Sequence, residues 1–259
     1  MLIIIFTFGL VKSDRLNAQN KNNFWEVGEE LTYEVSYSLI KLGTIKFTTL
    51  EKIDENKNTY YRTIVKIDSY SSIPFVDLHY TLESKVNVKV FNSVYFKSLD
   101  KRKEKSFFIE YTQDEKTKNV HVKKGRFPPY KIDADSLCDL NHNYQDGLSL
   151  FYFARLLIGS DTAIVAKAFI EEKLEDVSIN YSSKEQLTEI SNFEKKIVTN
   201  KLWGKTNLIG IFGMTGEFSG YFSADKKAIP IRASLNVILG KINTELIKWK
   251  VKDWSPPVK

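Results

Sequence analysis

Three histidines, His79, His121 and His142, and a single cysteine, Cys138, are the scarcest chemically versatile side chains in this 259-residue chain. Cys138, His142 and Asp146 recur at four-residue intervals, with Asp139 nearby. On a helix they would share one face and offer a metal sulfur, nitrogen and oxygen ligands. Asn141, Asn143 and Gly147 interrupt that face, and a zinc site normally needs a further ligand pair, so the stretch reads as a polar loop leading into a helix. Asp133, Asp135, Asp139, Asn141, Asn143 and Asp146 carry oxygens suited to calcium. The EF-hand spacing fails, however, because Leu137 occupies the third ligand position and Cys138 replaces the glycine. Gly204-Lys205-Thr206 lacks the earlier glycine of a phosphate loop, whose place Thr199 takes, and reads as a turn. No Gly-x-Ser-x-Gly elbow surrounds a serine, and Ser149 has no histidine in its own motif. No catalytic residue, metal or cofactor is assigned, and the expectation is a protein that is not an enzyme.

Arg155 is the charged residue whose setting demands most. Asp146 is placed to cap a helix over residues 147–158, on which Leu148, Phe151, Tyr152 and Leu156 recur at helical spacing and Gly159 provides a stop. Leu150, Phe153, Ala154 and Leu157 cover much of the other side. A helix apolar nearly all round must be buried on most sides, so it is expected to lie across the concave side of a sheet as a plug. A guanidinium there is costly unless a carboxylate meets it. Glu83 and Asp146 are the candidate partners, and the pair is expected to position the helix. Phe127-Pro128-Pro129-Tyr130, preceded by Lys123-Lys124-Gly125-Arg126, is a basic aromatic loop. Through Phe127 and Tyr130 it could contact a sugar, a lipid headgroup or a partner protein, or simply form a stiff connection.

The elements that hold these residues are strands. Leu31, Tyr33, Val35, Tyr37 and Leu39 alternate with Thr32, Glu34, Ser36 and Ser38, and after Lys41-Leu42-Gly43 the pattern resumes at Ile45, Phe47 and Thr49. Tyr61 to Ile67 and Lys85 to Val90 alternate likewise. Ile229, Ile231, Ala233, Leu235, Val237 and Leu239 form another face, with Gly240-Lys241 suited to a two-residue turn and Ile242, Thr244 and Leu246 returning. The apolar parity then slips to Ile247, Trp249 and Val251, which predicts a β-bulge near Leu246-Ile247. About a dozen strand candidates are separated by short polar turns such as 54–58, 113–118 and 224–227. Gly210, Gly213, Gly216 and Gly220 favour a sheet that bends hard. The fold class expected is mainly β: an antiparallel, strongly curved sheet, a partly open barrel or a β-sandwich, with one buried helix.

Composition agrees. Hydrophobic residues make up 42% and charged residues 27%, which excludes disorder for most of the chain, and 13% aromatic residues favour strands. The net charge of +6 is spread along the chain, and the densest run, Lys101 to Lys105, fits a solvated turn, so nucleic acid is not an expected partner. One cysteine permits no intrachain disulfide. Leu2 to Val11 is an apolar run of about ten residues, short of the roughly twenty a membrane-spanning helix needs, and fits a secretory signal cleaved near Ala18. Residues 1–18 are read as that signal and 19–259 as one β-rich domain in the periplasm or cell envelope, with no transmembrane span.

Gly28 to Val35 with Gly43-Thr44, Gln145 to Ser149 with Tyr152 and Arg155, Ser223-Ala224-Asp225 with Ile229-Pro230-Ile231, and Leu239-Gly240 running into Glu245-Leu246 occur in this order along the chain, and together they resemble an exported bacterial family catalogued as domain of unknown function 3108. The resemblance implies a β-rich envelope protein with no assigned reaction, and these residues serve as structural landmarks. A more distant likeness to open-barrel lipoprotein carriers rests on the sheet-plus-helix layout alone. The function expected is binding of an apolar or amphipathic ligand, such as a lipid, or another envelope component, in a concavity lined by inward aromatic residues. One alternative is a scaffold or assembly factor that holds an envelope protein through a sheet edge or the 123–130 loop. Another is a hydrolase of envelope polymers.

Overall fold

A computed structural model describes residues 24–74, 77–102, 104–207, 214–237 and 240–259. The signal-like segment, Lys103, Gly210 and Gly213 therefore lie outside the described residues. Among the described residues fourteen strands form one continuous antiparallel sheet. The first eight, β1 (Glu30–Tyr37), β2 (Ile40–Glu55), β3 (Asn58–Ser69), β4 (His79–Asn87), β5 (Asn92–Lys101), β6 (Ser106–Gln113), β7 (Asn119–Phe127) and β8 (Lys131–Asp139), pair in sequence order. After the short helix α1 (Ser149–Phe153) come β9 (Thr162–Ile170), β10 (Lys173–Ile190), β11 (Phe193–Thr206), β12 (Met214–Ser223), β13 (Pro230–Val237) and β14 (Gly240–Lys250). They form a second meander, and β1 pairs with β14 to join the two halves, leaving β8 and β9 as the edges. Every other pairing joins neighbours along the chain, so only the β1–β14 seam needs a long loop to close.

Local sequence explains most turns. Asn56-Lys57 and Glu171-Glu172 both have positive φ, the geometry that lets a two-residue connection follow the twist of its strands. The bulge expected near Leu246-Ile247 is present: Thr32 faces Lys248 and Tyr33 faces Leu246, with Ile247 left between them. Three expected turns move. The β1–β2 turn falls at Ser38-Leu39, ahead of Lys41-Leu42-Gly43, which puts Leu39 96% exposed in solvent and off the apolar face. Gly43 sits within β2 because a Cβ there would lie 2.2 Å from the Asp68 carbonyl oxygen. Gly240 and Lys241 open β14, opposite Val237 and Asn236, so they are strand residues and not the turn expected there. Gly204-Lys205-Thr206 is the end of β11, where the missing Gly204 side chain makes room for Phe218.

The sheet curls around the 144–158 segment. Tyr111 on β6 meets Phe169 on β9 with ring centroids 5.0 Å apart, and Lys124 on β7 pairs with Glu172 in the β9–β10 turn. The edge of β9 is covered where Gln145 pairs with Ala168, and the Ser93 amide on β5 donates to the Tyr144 carbonyl at 3.0 Å. Helix α1 is shorter than the expected 147–158. Beyond Phe153 the chain tightens, with Arg155 and Leu156 amides donating three residues back, and ends at Gly159 with φ +84°. This tightening follows from anchors on every side: Phe151 stacks on Phe47 at 3.8 Å, Tyr152 on Trp25 at 4.5 Å, and Phe153 meets Phe91 at 5.5 Å. The concavity expected for an apolar ligand is thus occupied by the protein's own rings.

Candidate functional site

Arg155 is fully buried, and its carboxylate partner is Glu29. Nη1 and Nη2 donate to Glu29 Oε1 and Oε2 at 2.7 and 3.0 Å, and Nη2 and Nε donate to the Lys227 carbonyl at 2.7 and 3.3 Å. The guanidinium also lies 4.6 Å from the Phe24 ring centre. Burial opposes its charge, but the Glu29 carboxylate more than offsets this and holds Arg155 protonated. Neither expected partner is used. Glu83 faces the other side of the sheet and accepts from Arg62 at 3.1 Å. Asp146 has donors of its own. Tyr152, beside the pair, shares a 3.2 Å hydrogen bond with Thr49.

Asp146 begins the plug segment. Oδ1 accepts the Leu148 and Ser149 amides at 2.7 and 2.8 Å, closing the turn ahead of α1, whose own N-cap position is Leu148 and not the expected Asp146, while Oδ2 accepts the Ser84 and Ser93 hydroxyls at 2.6 and 2.5 Å. Burial pushes the carboxyl above its ordinary 3.8, against the pull of those four donors. A raised native value means that folding favours the protonated form. The stabilisation this linkage gives is complete below the ordinary value and is lost as pH rises through the raised one. Wild type should therefore lose stability relative to Asp146→Asn as pH rises above the ordinary 3.8 in denaturant titrations. A difference that grows with pH would reverse the sign.

The other residues singled out in sequence are dispersed. Cys138 lies on β8, and burial raises its thiol, the opposite of an activated nucleophile. His121 meets Asp135, and His79 lies 2.8 Å from Asp68, whose hydrogen bond raises the imidazole. Among the described residues no group of three His, Cys, Asp or Glu side chains is placed to hold a metal. Phe127 ends β7, and Tyr130 is 69% exposed and stacks on Phe108 at 5.5 Å. Phe108 in turn lies over Gly125, where a Cβ would come within 2.7 Å of its ring and 2.2 Å of the Lys131 carbonyl. Gly125→Ala should cost about 1–3 kcal/mol by thermal melting; an unchanged melting curve would show that the strand gives way freely.

The feature that sequence reading missed lies on the outer, polar face of β10–β14. Register aligns Asn180, Trp203, Ser219, Ser234 and Asn243 in one row across five strands. Lys201, Tyr221, Arg232 and Glu245 form a neighbouring row. The far end of the β10–β11 hairpin folds across this face: the Ser191 amide donates to Glu245 Oε1 at 2.6 Å, and the Asn192 side chain donates to the Ile247 carbonyl. Two open concavities result, of about 390 and about 400 Å³, and both are lined by Ser234. The first runs beside Trp203, Lys205, Asn236 and Lys241, and the second lies between Gln186–Glu189 and Tyr221–Arg232. Trp203 is 42% exposed there, with the Lys201 ammonium 5.8 Å from its ring centre. Lys167, Lys196, Lys227 and Lys250 each hold a carboxylate, whereas Lys201, Lys205, Arg232 and Lys241 hold none among the described residues.

No curated protein sequence matches the chain. Among solved structures it is similar to a β-barrel-like protein of domain of unknown function DUF1849 from Brucella abortus, with 11% identity over 88% of this chain and 99% of that one and a TM-score of 0.53. That likeness is one of fold. A putative exported protein with a YmcC-like fold from Bacteroides fragilis aligns over 87% of this chain and 97% of its own at 6% identity, with a TM-score of 0.36. The model of the family described as protein of unknown function (DUF3108) matches residues 32–247, nearly the whole curled sheet together with its plug, and the chain belongs to that family.

Proposed function

We propose that this chain is an exported, non-catalytic binding protein of the cell envelope that takes its ligand on its outer surface. The observation that carries this reading is the pairing of a filled interior with an open groove. Tyr61, Trp25 and Tyr152 stack in series at 4.8 and 4.5 Å where an apolar ligand would otherwise sit, while the polar outer face of β10–β14 carries two open depressions. Export is supported by the apolar Leu2–Val11 run with Ala18 beyond it. Among the described residues no helix is long and apolar enough to cross a membrane. The test is to express the full chain in a Gram-negative bacterium, fractionate the cells, and weigh the product by intact mass spectrometry. The expected product lies in the envelope fraction and has lost about eighteen residues; an unprocessed cytoplasmic product would sink the export reading.

A second reading, a protein-binding scaffold, is favoured by β8. It is a nine-residue edge strand with only Cys138 shielded from solvent, and Ile132 and Leu137 are exposed along it. Such an edge can accept another strand. Crosslinking in the envelope should be lost on Ile132→Lys with Leu137→Lys if a partner sits there.

A further inference from the structure

We infer that the groove across β10–β14 binds an acidic oligosaccharide, an inference that rests on the surface-binding reading above and names its ligand class. Pyranose rings present a face of C–H bonds and a rim of hydroxyls, and acidic ones add a carboxylate. The groove supplies a complement to each part. Trp203, near the end of β11, is 42% exposed, with the Lys201 ammonium 5.8 Å from its ring centre. Around it lie Asn180, Ser219, Ser234, Asn236 and Asn243; Asn180 donates to the Trp203 carbonyl and Ser234 to Asn243 Oδ1, and the Ser219 hydroxyl and Asn236 amide can both donate and accept, as sugar hydroxyls do. Lys201, Lys205, Arg232 and Lys241 bring positive charge without an internal carboxylate, so the field along the groove favours anions.

Length and chemistry narrow the choice further. The two concavities meet at Ser234, so the surface suits a chain of several residues more than a compact ligand. Glu217 lines one part and Glu189 the other. A carboxylate accepts hydrogen bonds from sugar hydroxyls and repels any ligand anion set against it, so the acidic groups of the sugar fall beside Lys205, Lys241 and Arg232, whereas binding of a nucleic acid strand, with a phosphate at every nucleotide, rests on uninterrupted positive charge and serial base stacking. A lipid chain finds Leu187 as the one aliphatic side chain among the lining residues of the second concavity.

The test uses the mature chain, tryptophan fluorescence and isothermal titration calorimetry, with hexagalacturonate as the acidic probe, chitohexaose as its neutral counterpart and a dodecathymidylate as the nucleic acid. Hexagalacturonate should bind at least tenfold tighter than chitohexaose. Trp203→Ala should weaken it at least tenfold, and Lys205→Gln with Lys241→Gln should remove most of its preference over chitohexaose. These side chains are exposed, so the variants should melt within a few degrees of wild type, and a calorimetric scan checks this. Hexagalacturonate binding unchanged by Trp203→Ala would overturn the inference. So would equal or tighter binding of the oligonucleotide, or no binding of either sugar. An envelope-located protein that binds neither sugar defeats the acidic-glycan inference while leaving the export reading intact, and a cytoplasmic protein that binds hexagalacturonate does the reverse.

Discussion

Arg155→Leu is expected to lower the unfolding free energy by about 3–5 kcal/mol, because it leaves the Glu29 carboxylate buried with no counter-charge. Glu29 is 2% exposed and Arg155 is fully enclosed, so water cannot take over either role. The Lys227 carbonyl, which accepts two bonds from the guanidinium, also loses its donor. Glu29→Gln should cost a similar amount by leaving the cation unpaired. The double replacement Glu29→Leu with Arg155→Met should recover much of the loss, since exchanging a buried pair for apolar residues of similar volume is often close to neutral. Chemical denaturation of all four proteins checks the set. A cost below about 1 kcal/mol for Arg155→Leu would place the pair in the class of solvent-screened bridges, contrary to its burial.

The pair also shows what sequence can carry. Glu29 lies two residues before Leu31, on the parity of Leu31, Tyr33 and Val35, all of them buried. Extending the period-two pattern by one step would have placed a carboxylate inside the sheet and matched it to Arg155. Glu83 was attractive on type alone, yet its neighbours on β4, Leu82 and Ser84, are the inward residues, so Glu83 faces out. The bulge at Ile247 was legible because a one-residue slip moves an entire apolar set to the other face, which few alternatives explain. The turn at Ser38-Leu39 and the strand placement of Gly240-Lys241 were less so. Glycine marks a close approach as readily as a turn, and Gly43 and Gly204 are close approaches. Helix α1 is shorter than its periodicity predicts because the spacing of Leu148 to Leu157 records burial on every side, and burial also fits a chain that tightens and turns. The groove left no trace in any single segment. Its residues are the polar half of five alternating strands, each of which reads alone as an ordinary wet face, and only register brings Trp203, Ser234 and Arg232 onto one face.

Trp25→Ala should be among the most damaging single changes, at about 3–5 kcal/mol, the range for removing a buried large aromatic. Trp25 precedes the first strand, where no alternation announces it, yet it is 9% exposed and lies between Tyr61 at 4.8 Å and Tyr152 at 4.5 Å, nearly parallel to both. Phe24 stacks on it at 5.4 Å and also lies under the Arg155 guanidinium, so the 24–25 segment ties the plug to β3 and to the ion pair at once. The indole Nε1 is buried with no hydrogen-bond partner among the described residues, which means its N–H adds a desolvation cost. Trp25→Phe keeps most of the stacked area and removes that orphan donor, so it should cost far less than Trp25→Ala. Urea unfolding of the two variants separates ring packing from hydrogen bonding. Equal losses would mean that the indole N–H holds a partner in solution and that polarity, more than stacking, anchors this end of the chain.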